Sequence, residues 1–297
     1  MKVALTGATG FIGSHILTEL QEHGHEITAL VRDDAGAGTV ESRGATPIVA
    51  DLYDRPAVVN LLSHVEAAIH TASPGDASSA NLDSAVADAV IEAFAGTGKT
   101  YVQIGGLWVY GENVSITEDS PINAPALVAW KEPIERRVLG AHGMRAAVID
   151  PGVAYGDGGG GVPQLLLGSP RDDAGNLIML GTGQQHWSTA HVADLANVFR
   201  RVLEDYSARG RYVVDDGVNP AVAELTDAAA EAVGAPGAVA GSDDEARGRL
   251  GDYFAEVLLL DQGTVATKAR AELGWSPSRP SLVDEFRHGS YHAPRVG

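Results

Sequence analysis

Cysteine is absent from all 297 residues. That excludes disulfides, thiolate nucleophiles and cysteine-ligated metal, and a reducing, cytoplasmic setting is expected. Positive charge is scarce: 21 Lys and Arg, only four of them Lys, stand against 39 Asp and Glu, for a net charge of −18. A nucleic-acid partner needs a basic face to neutralise phosphates, and none is visible. No apolar run approaches the ~20 residues of a membrane span, and Met1 to Gly7 reads straight into a strand and turn without a signal-peptide region, so no membrane partner is expected. The histidines lack ligand spacing and the carboxylates are scattered, so no metal is expected either. The acidity has a further consequence. An anionic ligand here must be met by helix N-termini and a few placed cations, which makes every cation in a predicted turn informative.

What is present is an ordinary globular composition, 44% apolar and 20% charged, long enough for one large α/β domain or a core with a small cap. Apolar and β-branched runs at Val3–Thr6, Glu26–Val31, Thr46–Ala50, Ala67–Thr71, Tyr101–Ile104 and Ala146–Ile149 read as strands. Helical patterns at Phe11–His23, Pro56–His64, Asn81–Phe94 and Trp130–Ala141 separate them. That alternation predicts βαβ units and a doubly wound parallel sheet covered on both faces. After Pro151 the rhythm changes. The stretch from Gly156 to Gly183 is rich in Gly, Asp, Pro and Ser and reads as a mobile lid loop rather than a core element. Further elements are expected at Ala193–Glu204, Arg211–Val214, Val222–Val233 and Leu282–His288. The division is thus a dinucleotide-binding core over 1–155 and, over 156–297, mainly a substrate-side subdomain interleaved with the last sheet strands.

The strongest local signal is Thr6-Gly7-Ala8-Thr9-Gly10-Phe11-Ile12-Gly13, between a strand and an amphipathic helix. Its glycines serve a tight turn, close approach of backbone to a pyrophosphate, and close packing of helix on strand, while the helix N-terminus faces the phosphates. This is the Rossmann dinucleotide fingerprint. At the end of the second strand an acid would favour NAD and an arginine NADP. Arg32 stands there, 19 positions beyond Gly13, so NADP(H) is expected, with NADPH preferred over NADH. Asp51 and Leu52 after the third strand can reach the adenine, and Thr71, Ala72 and Ser73 after the fourth can pass beneath the ribose and nicotinamide. Gly98-Lys99-Thr100 lacks the full spacing of a phosphate loop and reads as a turn into a strand.

Together these features resemble the extended short-chain dehydrogenase/reductases, the group of nucleotide-sugar epimerases, dehydratases and dihydroflavonol-type reductases. The resemblance spans nearly the whole chain. It rests on Gly7, Gly10 and Gly13, on Val109-Tyr110-Gly111, on Pro151-Gly152-Val153-Ala154-Tyr155-Gly156, on His191 to Ala196, and on Gly274-Trp275-Ser276-Pro277. It implies that Pro151 and Val153 flank the cofactor. In that family a Ser or Thr and a Tyr-x-x-x-Lys supply the chemistry: the tyrosine protonates the carbonyl while the lysine holds the nicotinamide ribose. Lys131 matches the lysine, but Leu127 stands at the tyrosine position and Gly105-Gly106 at the serine position.

Ordinary tyrosine-acid chemistry is therefore excluded by that alignment. Trp108, Gly106, Leu127, Tyr155 and His186 are the candidate substrate-side residues, with Tyr110, Tyr155 and His186 as candidate replacement acids; His191 reads as a packing or capping residue. Three functions stay open. One is an NADPH-dependent ketoreductase reducing a bulky aromatic polyketide ketone, with the substrate assisting its own protonation. The second is a non-catalytic NADP-binding redox sensor. The third, an epimerase or dehydratase, needs an acid/base at the missing positions. The expected partner is a small-molecule aromatic ketone, and the chain is expected to be a monomer or homodimer.

Overall fold

In the computed structural model, which describes residues 1–292, the alternation becomes a seven-stranded parallel sheet. β1 (Lys2–Thr6), α1 (Phe11–Glu22), β2 (Glu26–Val31), α2 (Asp34–Glu41), β3 (Thr46–Val49), α3 (Arg55–Ser63), β4 (Ala67–His70), α4 (Ser79–Phe94) and β5 (Thr100–Ile104) follow in chain order. α5 (Lys131–Leu139) precedes strand Arg145–Pro151. The spatial order runs Gly210–Val214, Arg145–Pro151, β5, β4, β1, β2, β3. It reverses between β1 and β4, which opens a crevice at their C-terminal ends.

Helices on both faces bury the central strands: β4 is buried at all four positions, whereas edge strand β3 leaves Ile48 and Val49 exposed. On one face Ile16, Leu17 and Leu20 of α1 share a core with Leu195, Val198, Phe199 and Val202 of helix Val192–Glu204. On the other, Leu61 and Leu62 of α3 share a core with Val86, Val90 and Phe94 of α4 and Val138 of α5.

α2 is a helix the sequence reading did not expect. Two glycines in eight residues give it little intrinsic propensity. It forms because the Asp33 carboxylate caps the Gly36 N–H at 2.8 Å and Val40 is buried in the sheet core.

A second core is built from Leu166, Leu177, Leu180, Leu225, Leu258 and Phe286 among others. It corrects the expectation of an irregular lid at 156–183. That stretch contains helix Gly161–Leu167 and strand Leu177–Ile178, which pairs with Ala238–Val239. Leu177 and Leu180 are fully buried. A two-residue strand between Gly- and Asp-rich turns has no periodicity to read, so composition alone misleads there. The glycine run itself is a tight turn: Gly156, Gly158 and Gly160 have φ of +116°, +69° and +89°, and Asp157 has +49°. The Tyr291 hydroxyl pins it, accepting from the Gly156 N–H at 2.7 Å and donating to the Gly159 carbonyl. The chain then returns to the sheet through Val192–Glu204 and Gly210–Val214, and the buried Trp275 indole donates to the Asp194 carbonyl at 3.1 Å.

Candidate active site

A cavity of about 560 Å³ opens at the C-terminal ends of β1, β4, β5 and Arg145–Pro151. The glycine turn forms one wall. Gly7 has φ +76°, and a Cβ there would lie 2.6 Å from the Ala72 nitrogen. A Cβ on Gly13 would lie 2.1 Å from the Gly7 carbonyl oxygen. Neither position admits a side chain without forcing the turn off β4. α1 starts at Gly10 with no side-chain cap and no acid in its first turn. Its leading N–H groups are left for an anion, and a diphosphate fits that cradle.

Phe11, Ile12, Thr71, Ser73, Pro151 and Val153 line the same cavity. The Thr71 hydroxyl donates to the Thr6 carbonyl at 2.9 Å, joining the ends of β4 and β1, and the Ala72 N–H points to Thr6 Oγ1 at 3.4 Å. Thr9 is exposed on the turn. Arg32, Asp51 and Leu52 lie at the ends of β2 and β3, outside the cavity lining. Arg32 is exposed and forms no ion pair among the described residues, while its acidic neighbour Asp33 is engaged as the α2 cap. Asp51 accepts from the Tyr53 N–H at 2.9 Å, and Leu52 packs toward the α3–α4 core.

Lys131, the first residue of α5, faces the cavity. It is not a solvated surface lysine. Its side chain is 16% exposed, its ammonium lies 3.6 Å from Asp83 Oδ2, and it sits 4.7 Å from the centre of the Trp130 ring. Asp83 is itself buried on α4, with His70 Nε2 at 3.3 Å and the Gln103 amide donating at 3.4 Å. His70 Nδ1 in turn lies 2.7 Å from Thr6 Oγ1. Sequence reading passed over Asp83. The available signal was an acid on the same helical face as Val86, Val90 and Phe94, an apolar stripe where an unpaired carboxylate does not belong.

Behind Gly105-Gly106 lies a second buried charge cluster. Asp150 accepts from the Gly106 N–H at 3.0 Å, the Tyr110 hydroxyl at 2.9 Å and the Arg211 guanidinium at 2.9 Å. Arg211 also donates to Glu135 at 2.6 Å. Burial pushes both carboxyl pKa values above the usual range, and Arg211 opposes that shift. A Cβ on Gly105 would lie 2.0 Å from Asp150 Oδ1, so a serine cannot stand there beside this aspartate. Gly106 faces open space instead.

Gly106 and Trp108 line the cavity, whereas three other candidates do not. Tyr155 is fully buried, its hydroxyl 2.9 Å from Asp216 Oδ2 and 2.8 Å from the Pro280 carbonyl, so it is a structural residue. His186 is exposed, its Nδ1 within hydrogen-bond distance of Asp261 Oδ1 at 2.9 Å. Trp187, one residue on, lines the cavity in its place, because successive residues of extended chain point to opposite sides. Leu127 packs into the flanking apolar clusters while Val128 takes the lining position. Residues 126–130 are turns and α5 begins only at Lys131, so no helical position exists one turn before the lysine. His191 is a cap, its Nδ1 accepting from the Ala193 N–H at 3.1 Å.

The rest of the wall is apolar and aromatic: Leu107, Trp108, Val109, Val162, Trp187 and Phe254, with Trp108 and Phe254 edge to face at 6.1 Å. Among the described residues, Lys131 is the only titratable side chain lining the cavity.

The model of the NAD dependent epimerase/dehydratase family matches residues 3–214. A 3-diazoavenalumate denitrifying reductase from Streptomyces sp is 27% identical, covering 96% of this chain and 98% of that protein. The crystal structure of human epimerase family protein SDR39U1 (isoform2) with NADPH superposes with a TM-score of 0.76 at 21% identity, over 99% of this chain and 100% of that one. The UDP-glucose 4-epimerase of Thermus thermophilus, in complex with NAD, gives 0.75 at 22% identity, over 97% and 99%. With 212 consecutive residues matched and the glycine turn, Val109 and Lys131 grouped around one cavity, the chain belongs to the NAD dependent epimerase/dehydratase family of extended short-chain dehydrogenase/reductases, a group of nicotinamide-dependent oxidoreductases and epimerases.

Proposed function

We propose that the protein is an NADPH-dependent ketoreductase acting on a hydroxylated aromatic ketone of polyketide type, in which a substrate hydroxyl replaces the family tyrosine. One observation carries the reading: the cavity keeps the glycine turn and Lys131 and surrounds them with aromatic side chains, with no second titratable group among the described residues. An epimerase or dehydratase needs an acid/base at the sugar, and a nucleotide sugar brings a diphosphate needing cations; the single lining cation is paired to Asp83. The Streptomyces relative is itself named a reductase.

NADPH, when bound, supplies the hydride. The glycine turn and the α1 N-terminus would hold the diphosphate, and Arg32 would pair with the 2′-phosphate. Lys131, steadied by Asp83, would hydrogen-bond the nicotinamide ribose. Trp108, Trp187 and Phe254 clasp the aromatic ring and exclude water. On reduction the ketone oxygen would take a proton from the neighbouring substrate hydroxyl, which would regain one from solvent once the product leaves the cavity. The decisive experiment follows NADPH absorbance with an ortho-hydroxyaryl ketone and isolates the alcohol. If NADPH binds but no aryl ketone oxidises it, the ketoreductase reading fails. The lack of a lining acid then favours a redox sensor.

Two further outcomes are expected. The enzyme prefers NADPH over NADH by roughly ten- to hundredfold, the value of a charge-assisted hydrogen bond, and Arg32→Ala narrows that gap; equal Michaelis constants in the unmutated protein would rule out the role of Arg32. Lys131→Ala lowers single-turnover hydride transfer and NADPH affinity by a similar factor, whereas Leu127→Ala is much milder. The reverse ranking would show that the catalytic helix has been misread.

A further inference from the structure

Gln262 stands on the cavity wall in strand Gln262–Thr264 and is only 4% exposed. A carboxamide carries two N–H donors and one oxygen acceptor. Both donors are engaged: Nε2 gives one hydrogen bond to the Leu107 carbonyl at 2.9 Å and one to the Gly111 carbonyl at 2.7 Å. Because both partners are backbone carbonyls, turning the amide round would set Oε1 against two acceptors. The orientation is therefore determined by the partners, and the backbone holds it, with the Gln262 N–H donating to the His186 carbonyl at 3.0 Å. Among the described residues no donor reaches Oε1, and Gln262 is one of the residues that line the cavity. An acceptor held in an aromatic wall without a donor is unfavourable until a ligand or water supplies one.

We infer that Gln262 is a specificity-determining residue: its Oε1 accepts a hydrogen bond from a phenolic hydroxyl of the substrate, distinct from the hydroxyl that is bonded internally to the ketone. This rests on the aromatic-ketone reading and deepens it by requiring a second hydroxyl on the ring system. A methoxy, carbonyl or carboxylate oxygen at the same place would meet Oε1 acceptor to acceptor. Such a site rejects analogues lacking the donor, because its own polar atom is then stranded.

Binding of carbonyl-free probes tests this without catalysis. The affinities of 2-naphthol and 2-methoxynaphthalene are measured by tryptophan fluorescence quenching on protein in the presence of saturating NADP⁺. The naphthol is expected to bind roughly two- to tenfold more tightly than its methyl ether. Gln262→Met should bring the two affinities together while the ether still binds. Equal affinities in the unmutated protein overturn the role of Gln262 and leave the aromatic cavity standing. If neither probe binds, the aromatic-substrate reading itself fails and this inference falls with it. The unmutated comparison decides the matter even if the variant does not fold.

Discussion

Methylating the hydroxyl beside the ketone is expected to lower turnover by roughly 10²–10⁴-fold, the usual contribution of a positioned general acid, while changing ketone affinity only a few-fold. The cavity lining contains no tyrosine, histidine or carboxylic acid among the described residues, and Gly105 and Gly106 stand where the family has its serine. On the proposed ketoreductase reading, the alkoxide formed on hydride addition would therefore be stabilised from the substrate side. A phenol adjacent to the ketone already shares its proton with the carbonyl oxygen, so no protein group has to move. The remaining demand on the protein is proximity and orientation, which can contribute roughly 7–11 kcal/mol for well-aligned reactants. The check is a pair of ketones differing only in that methyl group, compared in single turnover and in binding. Equal rates would place the proton donor on the protein. Lys131 would then be the group to examine, because Tyr155 and His186 both point away from the cavity.

Arg211→Ala is expected to destabilise the fold by roughly 3–5 kcal/mol, as breaking a buried ion pair from one side does. Asp150 and Glu135 are both fully buried, and Arg211 is the cation that donates to each. Its removal leaves two carboxyls close together in an apolar setting. The pH dependence has a definite sign. Burial already holds both pKa values above those of the unfolded chain, and without the guanidinium they rise further. A carboxyl whose pKa is higher when folded adds stability at low pH, and that contribution is lost as pH rises through the folded value. The deficit of the variant should therefore be larger at pH 8 than at pH 5, because lower pH favours protonation of the two groups. Denaturant unfolding at the two pH values reads this directly. A loss below about 1 kcal/mol, typical of an exposed pair, or one independent of pH, would show that the cluster is not the desolvated network described. Because Asp150 also holds the Gly106 N–H, the variant is expected to loosen the cavity floor and slow hydride transfer.

Much of the fold was readable because its signals are local. The six strands expected before Pro151 are all present, most within a residue or two of the expected bounds, since β-branched runs separated by amphipathic helices need no distant partner to be seen. The exceptions are physical. α2 depends on one cap and one buried valine, and strand Leu177–Ile178 is too short to show a period. A one-residue offset separates expectation from structure at two site positions: Trp187 rather than His186 and Val128 rather than Leu127 line the cavity. The direction of a side chain on an irregular segment is set by what packs behind it, which the segment alone does not contain.

The sequence by itself determined the cofactor turn and the lysine beside it. From Thr6 to Gly13 the steric demands are satisfied among neighbours: Gly7 must take a positive φ, and Gly13 must clear the Gly7 carbonyl. Tertiary structure alone decided what surrounds them. Asp83 reaches Lys131 from 48 residues away, Arg211 reaches Asp150 from 61, and Gln262 donates to the Leu107 carbonyl from 155. Each of those is a polar group whose burial is tolerable only because a partner from another crossover meets it. No local pattern marks such a group, because its environment exists only once the sheet has closed.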